Sequence, residues 1–488
     1  MSINFPRPQK GQALIYIFSL LIPLAMGGAY VYNAYSVANE KTRLQNTTDA
    51  VAYSVATIEA RDLNFKAYTN RAMVANQVAI AQAVGLVSWT RWAANVAENL
   101  AFVTSWIPYV NAVTQAIDRA MSIAERAVER GMPYVATGID SVISGLAASQ
   151  IAMHAITNVV AADTVRAVIQ ANDPNVDSSI SFTNAAMFAD YTRNHNNFTR
   201  RISPDTVRDT RNRRSEAYRE HFARMEEFRE ITMESRDGFS RSRRYTWFRI
   251  NLGLWRAEMR RAGGTDLTGE NSRHRYGSWM AMDTMSWHDR TRGCGFFGTS
   301  WCSWSEAIPI GWGAAKNSRR EESVSFRARH NRRDDSVGGS WRTNRMASSL
   351  AHSYFQGARE VEVNRPQYMG LRRFYDLTLD GLVQKAPGIR ILLTKPQGNI
   401  STAGSLGYND GAMSIEGDAD MARNRMAAMA EATPYFARIN DSGPGTSQYR
   451  RSDGRREYGN LYNPYWQARL EALTETEKRT MMIAAGIL

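Results

Sequence analysis

"KGQALIYIFSLLIPLAMGGAYVYNAYSVAN", Lys10–Asn39, carries no charged side chain after its first residue. How it is read decides whether the chain is free or tethered to lipid. Ala13 to Tyr32 supplies about 20 mostly apolar residues, which at about 1.5 Å per helical residue match a hydrocarbon core of about 30 Å. A secretory signal core is shorter, about 7–15 residues, and ends on a small-x-small cleavage site. Here Tyr30, Tyr32 and Tyr35 follow instead, as an interfacial belt. The expectation is a retained membrane helix whose lipid-facing residues include Ala13, Leu14, Ile15, Phe18, Leu20, Leu21, Ile22 and Leu24. Arg7 and Lys10 keep the short N-terminal side in the cytoplasm and send everything after about residue 36 across. Pro23 predicts a kink, and Gly27-Gly28 permits close approach of a partner helix.

Working outward, 488 residues with 43% hydrophobic and 10% aromatic content exclude wholesale disorder and leave room for a large core. The formal charge of +13 is carried almost entirely by arginine, since the chain has only seven lysines. Arginine suits buried ion pairs and bidentate contacts. A polyanion partner and a solvated surface both fit, and the second is preferred. Cys294 and Cys302, in "GCGFFGTSWCSW", can close a small loop as a disulfide in an oxidising compartment. A pair of reduced buried thiols is the alternative, and without a nearby histidine pair they make a poor zinc site.

Beyond the anchor the pattern is helical. Val51, Val55 and Ile58 recur at helical spacing, the run Arg71–Phe102 has no proline, and Ile117/Met121/Ala124/Val128 and Val135/Ile139/Val142/Leu146 continue the stripe. Pro108, Gly131-Met132-Pro133 and "NDPN" (Asn172–Asn175) predict several helices up to about residue 171. Val78–Val113 is apolar enough to raise a second span, but Arg91 and Glu98 interrupt it, which favours a buried helix instead. A charged, mostly solvent-facing helix is expected from Ser203-Pro204 to about Ser235, ending at Asp237-Gly238. Its arginines alternate with glutamates, so the face neutralises itself and nucleic acid is disfavoured. Later come the strand-like segments "TWFRINL", "GSWMAMDTMSW", "SVSFRAR", "EVEVNR", "IRILLTK" and "AMSIEG", with loops at Gly264–Arg275 and Arg329–Arg345. Thr474 and Glu477 form a capping box for a final helix.

The fold class expected is α+β: an N-terminal transmembrane helix continuing into a long-helix bundle or stalk, then a mixed C-terminal domain with an antiparallel sheet. The ranges are 1–36 for the tail and anchor, 37–175 for the helical stalk, 176–243 for the charged helix and linker, and 244–488 for the α+β domain. No phosphate loop, nucleophile elbow or His-Glu-x-x-His is present, the seven histidines are scattered, and no enzyme activity, cofactor or metal is expected.

Gly11, Gln12 and Ala13 after a basic residue, the apolar run, and then Leu44, Gln45, Asn46, Asp49 and Ala50 in "ANEKTRLQNTTDAVAYSVA" resemble the N-terminal region of the TadE/TadG-like proteins of Flp (tight adherence) pilus systems. The Lys10–Tyr16 entry also resembles a type IV prepilin, with Tyr16 where those pilins carry glutamate. Some TadE/TadG-like members carry an Asp-x-Ser-x-Ser metal motif, and Asp177–Ser181 fits that string without the buried strand that should precede it. The resemblance implies a non-catalytic, single-pass protein of the bacterial inner membrane with a periplasmic body, its partners being pilus-assembly or secretion-system proteins and homo- or hetero-oligomers. The alternatives are a minor pilin-like subunit or adhesin cleaved between Gly11 and Gln12, and a polyanion-binding envelope protein.

Overall fold

The computed structural model describes residues 12–176, 182–208, 214–268, 278–295, 297–317, 337–356, 370–378, 383–396, 399–400, 425–438, 455 and 457–484. Helix α1, Gln12–Val103, is a single rod of 92 residues that carries Pro23 without ending there. A turn closed by Ser105 N to Phe102 O and Ile107 N to Thr104 O reverses the chain into α2, Val110–Asn172, which packs back along α1. The several helices expected here are therefore two. Pro108 does fall in the reversal, and α2 ends with Asp173 as its C-cap. Pro133, however, lies inside α2. Proline removes one N–H and crowds one carbonyl, but Met132, Ala136 and Ile139 are held in the same apolar cluster as Met73 and Val74 of α1. Packing outweighs the local penalty.

Then follow α3 (Phe182–Phe198), β1 (Thr199–Ile202), α4 (Pro204–Arg208), α5 (Glu216–Glu234) and α6 (Gly238–Arg241). The one charged helix expected from Ser203 to Ser235 is corrected here. Ser203 starts only the short α4, its Oγ accepting from Asp205 N, and Ser215 caps α5 by accepting from Tyr218 N. Nor is α5 mostly solvent-facing, because Tyr218, Met225, Phe228 and Met233 are buried in the main core. Asp237 does interrupt the run, and its carboxylate caps α6.

Among the described residues every strand pairing is antiparallel. The largest sheet is built from β2 (Tyr245–Leu252), β3 (Trp255–Thr268), β4 (Ser278–Cys294), β5 (Ser300–Trp301) and β6 (Ser305–Lys316), with β3 and β6 flanking β4. Helices α7 (Val337–Thr343), α8 (Arg345–Ala351) and α9 (Ser353–Gln356) lead to β7 (Phe374–Leu377), which pairs with β1. A second sheet has the order β10-β9-β8, from β8 (Ile389–Pro396), β9 (Arg425–Phe436) and β10 (Trp466–Glu471), and α10 (Glu475–Ala484) closes the chain. Thr474 and Glu477 make the reciprocal bonds of a capping box, Glu477 N to Thr474 Oγ1 and Thr474 N to Glu477 Oε2.

Of the strand-like segments, "TWFRINL" and "IRILLTK" fall in β2 and β8 and "GSWMAMDTMSW" falls in β4 from Ser278 on, while "SVSFRAR", "EVEVNR", "AMSIEG" and Asp177–Ser181 lie outside the described residues. Gly264 to Thr268 of the expected first loop belong to β3, and Val337 to Thr343 of the second form α7. Strand β9 runs "RMAAMAEATPYF", rich in helix formers, yet it lies between two strands with α1 against it. Neighbours override its propensity.

One cluster joins Met73, Ile80 and Val84 of α1 to Ile143, Phe228, Trp279, Ala315 and Phe374, so a single core draws on the ranges 37–175, 176–243 and 244–488 together. A second joins Leu44, Val51 and Val55 to Ala161, Tyr191, Ile391 and Ala430. Helix α1 thus runs through both cores. Its Val78–Ala101 part is largely buried in protein, and Arg91 there pairs with Glu129 at 2.7 Å and donates to the Ala314 carbonyl at 2.6 Å.

Candidate anchor and buried polar site

Among the described residues, none packs over the first turns of α1. Leu14, Ile15, Phe18, Leu20, Leu21, Ile22 and Leu24 are all exposed, with Leu24 at 72%, and Ala13 is exposed beside them. Gln12 opens α1, whereas Gly11 lies outside the described residues. The segment is long and apolar enough to cross a bilayer, and none of its most apolar stretch is buried. A helix apolar around its whole circumference needs lipid or other helices around it. Helix α2 also passes on length and composition, but its inner face carries the buried polar residues Asp140, Gln150 and Thr157.

Further along α1 the motif residues divide by role. Leu44 is fully buried between α1 and the second sheet. Gln45 donates to Asp49 Oδ1 at 2.8 Å and to the Met429 carbonyl of β9 at 2.9 Å, while Lys41 Nζ donates to the Ala427 carbonyl at 2.8 Å. Asn46 is exposed and Ala50 half-buried. The segment is therefore the seat of β9 on the rod, not an open surface. Cys294 and Cys302, far from it in the chain, are joined in a disulfide with Cα atoms 5.0 Å apart.

A buried cluster of charge lies just beyond this seat, where sequence reading named no site. Glu59, Asp62 and Lys66 project from one face of α1, at helical spacing, toward His154 of α2 and His195 of α3. Lys66 Nζ lies 2.6 Å from Asp62 Oδ2, 2.9 Å from His154 Nδ1 and 3.3 Å from Thr199 Oγ1. His195 Nδ1 sits 3.0 Å from Glu59 Oε1, and its Nε2 lies 3.2 Å from Asp62 Oδ2. Asp62, Lys66, Glu59 and His195 have fully buried side chains. A signal existed: charges at i, i+3 and i+7 on an otherwise buried helix face must meet partners, because unpaired they are prohibitively costly.

Asp62, His154 and His195 are metal-type ligands whose donor atoms lie within 4.8 Å of one another. The cluster nevertheless supplies its own cation. The Lys66 ammonium spends its three donors on Asp62, His154 and Thr199, in the space an ion would share.

Electrostatics follow from burial. Desolvation raises the Glu59 pKa above its ordinary value against the pull of His195. Burial pushes Asp62 the same way, but Lys66 and the two histidines win and hold it well below the usual carboxylate range. Lys66 is lowered by burial, with Asp62 opposing, and His154 is lowered by burial too. For His195, burial favours the neutral ring, yet bonds to Asp62 and Glu59 prevail and raise its pKa. Glu59, Asp62, Lys66 and His195 are sealed from solvent, and with His154 they bolt α1, α2 and α3 together.

The same face of α1 continues the theme with neutral bolts. Asn70 donates to the Tyr375 and Leu461 carbonyls at 2.9 Å each, Gln77 donates to the Gly370 carbonyl at 2.7 Å, and Trp279 Nε1 donates to Gln77 Oε1 at 2.9 Å.

The sequence profile of the Tad family, Flp pilus-assembly TadE/G-like, matches residues 11–57. From Gln12 on, those residues are the exposed apolar segment and the seat of β9 in one continuous helix. The match suggests a pilus-related role, in a family that is typically structural. No curated protein and no solved structure matches the chain.

Proposed function

We propose that the protein is a non-catalytic, membrane-anchored structural component of a Tad/Flp-like pilus or related envelope assembly. The observation that carries this reading is the continuity of α1, whose apolar, unburied first part belongs to the same family-like stretch as the part locked into the protein body. Such a rod transmits position directly from the bilayer to the core. The N-terminus faces the cytoplasm, the body lies in the periplasm, and its partners are other assembly or secretion-system proteins. A periplasmic location also suits the disulfide between Cys294 and Cys302.

Fusing a phosphatase that works only outside the cytoplasm to the C-terminus tests the topology. Activity in the membrane fraction, released by detergent and not by high salt, is the expected result. An inactive fusion, or full-length chain recovered without detergent, overturns it.

A further inference from the structure

The end of the molecule remote from the anchor is apolar and uncovered. From Asn99 to Ile117 the chain has no charged side chain. This stretch makes the α1–α2 reversal, where Phe102 and Trp106 are each 79% exposed and Tyr109 is 89% exposed. Tyr109 also has φ 66°, in the left-handed region that non-glycine residues rarely adopt. An aromatic side chain held outward by an unfavourable backbone points to a use for it.

The large sheet brings a second apolar group to the same end. Strand β6 descends as α1 ascends: Gly313 abuts Ser88 and Trp92, Gly311 abuts Val96, and Asn99 Nδ2 donates to the Ile310 carbonyl at 2.9 Å. Continuing this register, the start of β6, the end of β4 and the β2–β3 turn run on past Asn99 in the direction of the helical reversal, so both groups face away from the first turns of α1. Leu252 and Leu254, flanking the β2–β3 turn, are 68% exposed each, and Phe297, between β4 and β5, is 84% exposed.

The rim is basic. Between residues 249 and 306 Arg249 and Arg260 pair with Glu258, which leaves Arg256, Arg290 and Arg292 against Asp289 and Glu306, and Glu98 is exposed just before the reversal. Glu306 is already engaged by the backbone N–H of Met346 and Ala347. Arg256 stacks on Trp301 and Arg290 on Trp304, with guanidinium carbons 4.2 and 4.5 Å from the ring centroids. Exposed aromatic and aliphatic tips inside an arginine rim match a lipid interface, where apolar groups enter the acyl boundary and cations meet anionic headgroups.

We infer that this end docks on an anionic lipid surface. At about 1.5 Å per residue, Val37 to Val103 measures about 100 Å, so the surface is a second membrane and not the one that holds the anchor. That geometry rests on the proposed anchoring of α1.

The full chain is reconstituted through α1 into phosphatidylcholine vesicles and mixed with labelled vesicles, either phosphatidylcholine alone or phosphatidylcholine with phosphatidylglycerol. Failure to incorporate removes the anchor reading. Incorporation without capture of anionic vesicles overturns the docking reading alone. Capture of the phosphatidylglycerol vesicles is expected, weakened by salt and about ten-fold weaker for Trp106→Ser/Tyr109→Ser/Phe297→Ser with an unchanged unfolding midpoint. Capture that the triple variant leaves intact, or clustering of the protein vesicles with no lipid target added, which marks copy-to-copy contact, also overturns it.

Discussion

Lys66 shows what a single residue costs when it goes missing. Removing one member of a buried ionic group leaves its partner charged and unpaired, a loss of about 3–5 kcal/mol. Lys66→Met is therefore expected to lower stability by about that amount in urea unfolding of the detergent-solubilised chain, and Asp62→Leu in the same molecule should restore part of it. The cluster also predicts a pH profile. Asp62 titrates below its ordinary 3.8, so its contribution is present above that value and lost as the pH falls. His195 titrates above its ordinary 6.5, so its contribution is complete below that value and lost as the pH rises through the folded-state pKa. Stability should peak between the two, and His195→Gln should flatten the alkaline limb of the unfolding midpoint plotted against pH. An unchanged alkaline limb would show that the imidazole is not the titrating group.

Elements meet here through glycine as well as through charge. At Gly313 of β6 an added Cβ would lie 2.4 Å from both Ser88 O and Trp92 N, backbone atoms of α1 that cannot step aside. Gly313→Ala should cost about 1–3 kcal/mol by forcing the strand off the rod. Gly138 of α2, where an added Cβ would meet nothing, serves as the control. Equal unfolding midpoints for the two variants would contradict the close strand–helix approach. The same contact explains why Val78–Ala101 is a core helix: its apolar face is already occupied by the sheet, and Arg91 has its partners inside the protein.

For the whole molecule, the rod divides into a part that packs and a part that does not. The second core begins near Val37 and Leu44, and nothing in the fold leans on Ala13 to Leu24. A chain starting at Gly28, which keeps the buried Asn33, should keep the unfolding midpoint of the full protein and stay in solution without detergent. Loss of fold on that deletion would show that the segment supports the body.

The apolar N-terminal helix, the family-like segment, the α+β class and the C-terminal capping box were legible because each is local: a run of about 20 apolar residues, a short motif, or two side chains three residues apart. The two-helix hairpin, strand β9 and the cluster of Glu59, Asp62, Lys66, His154 and His195 were not. Pro133 reads as a break until the packing of Met132 and Ile139 is known, and β9 reads as helix until β8 and β10 stand beside it. His195 lies 136 positions from Glu59, and only folding makes them neighbours. Chain chemistry by itself determined which stretches carry apolar surface that must be covered. Tertiary structure alone decided which distant charges neutralise one another, because that depends on contacts formed across the whole length of the rod.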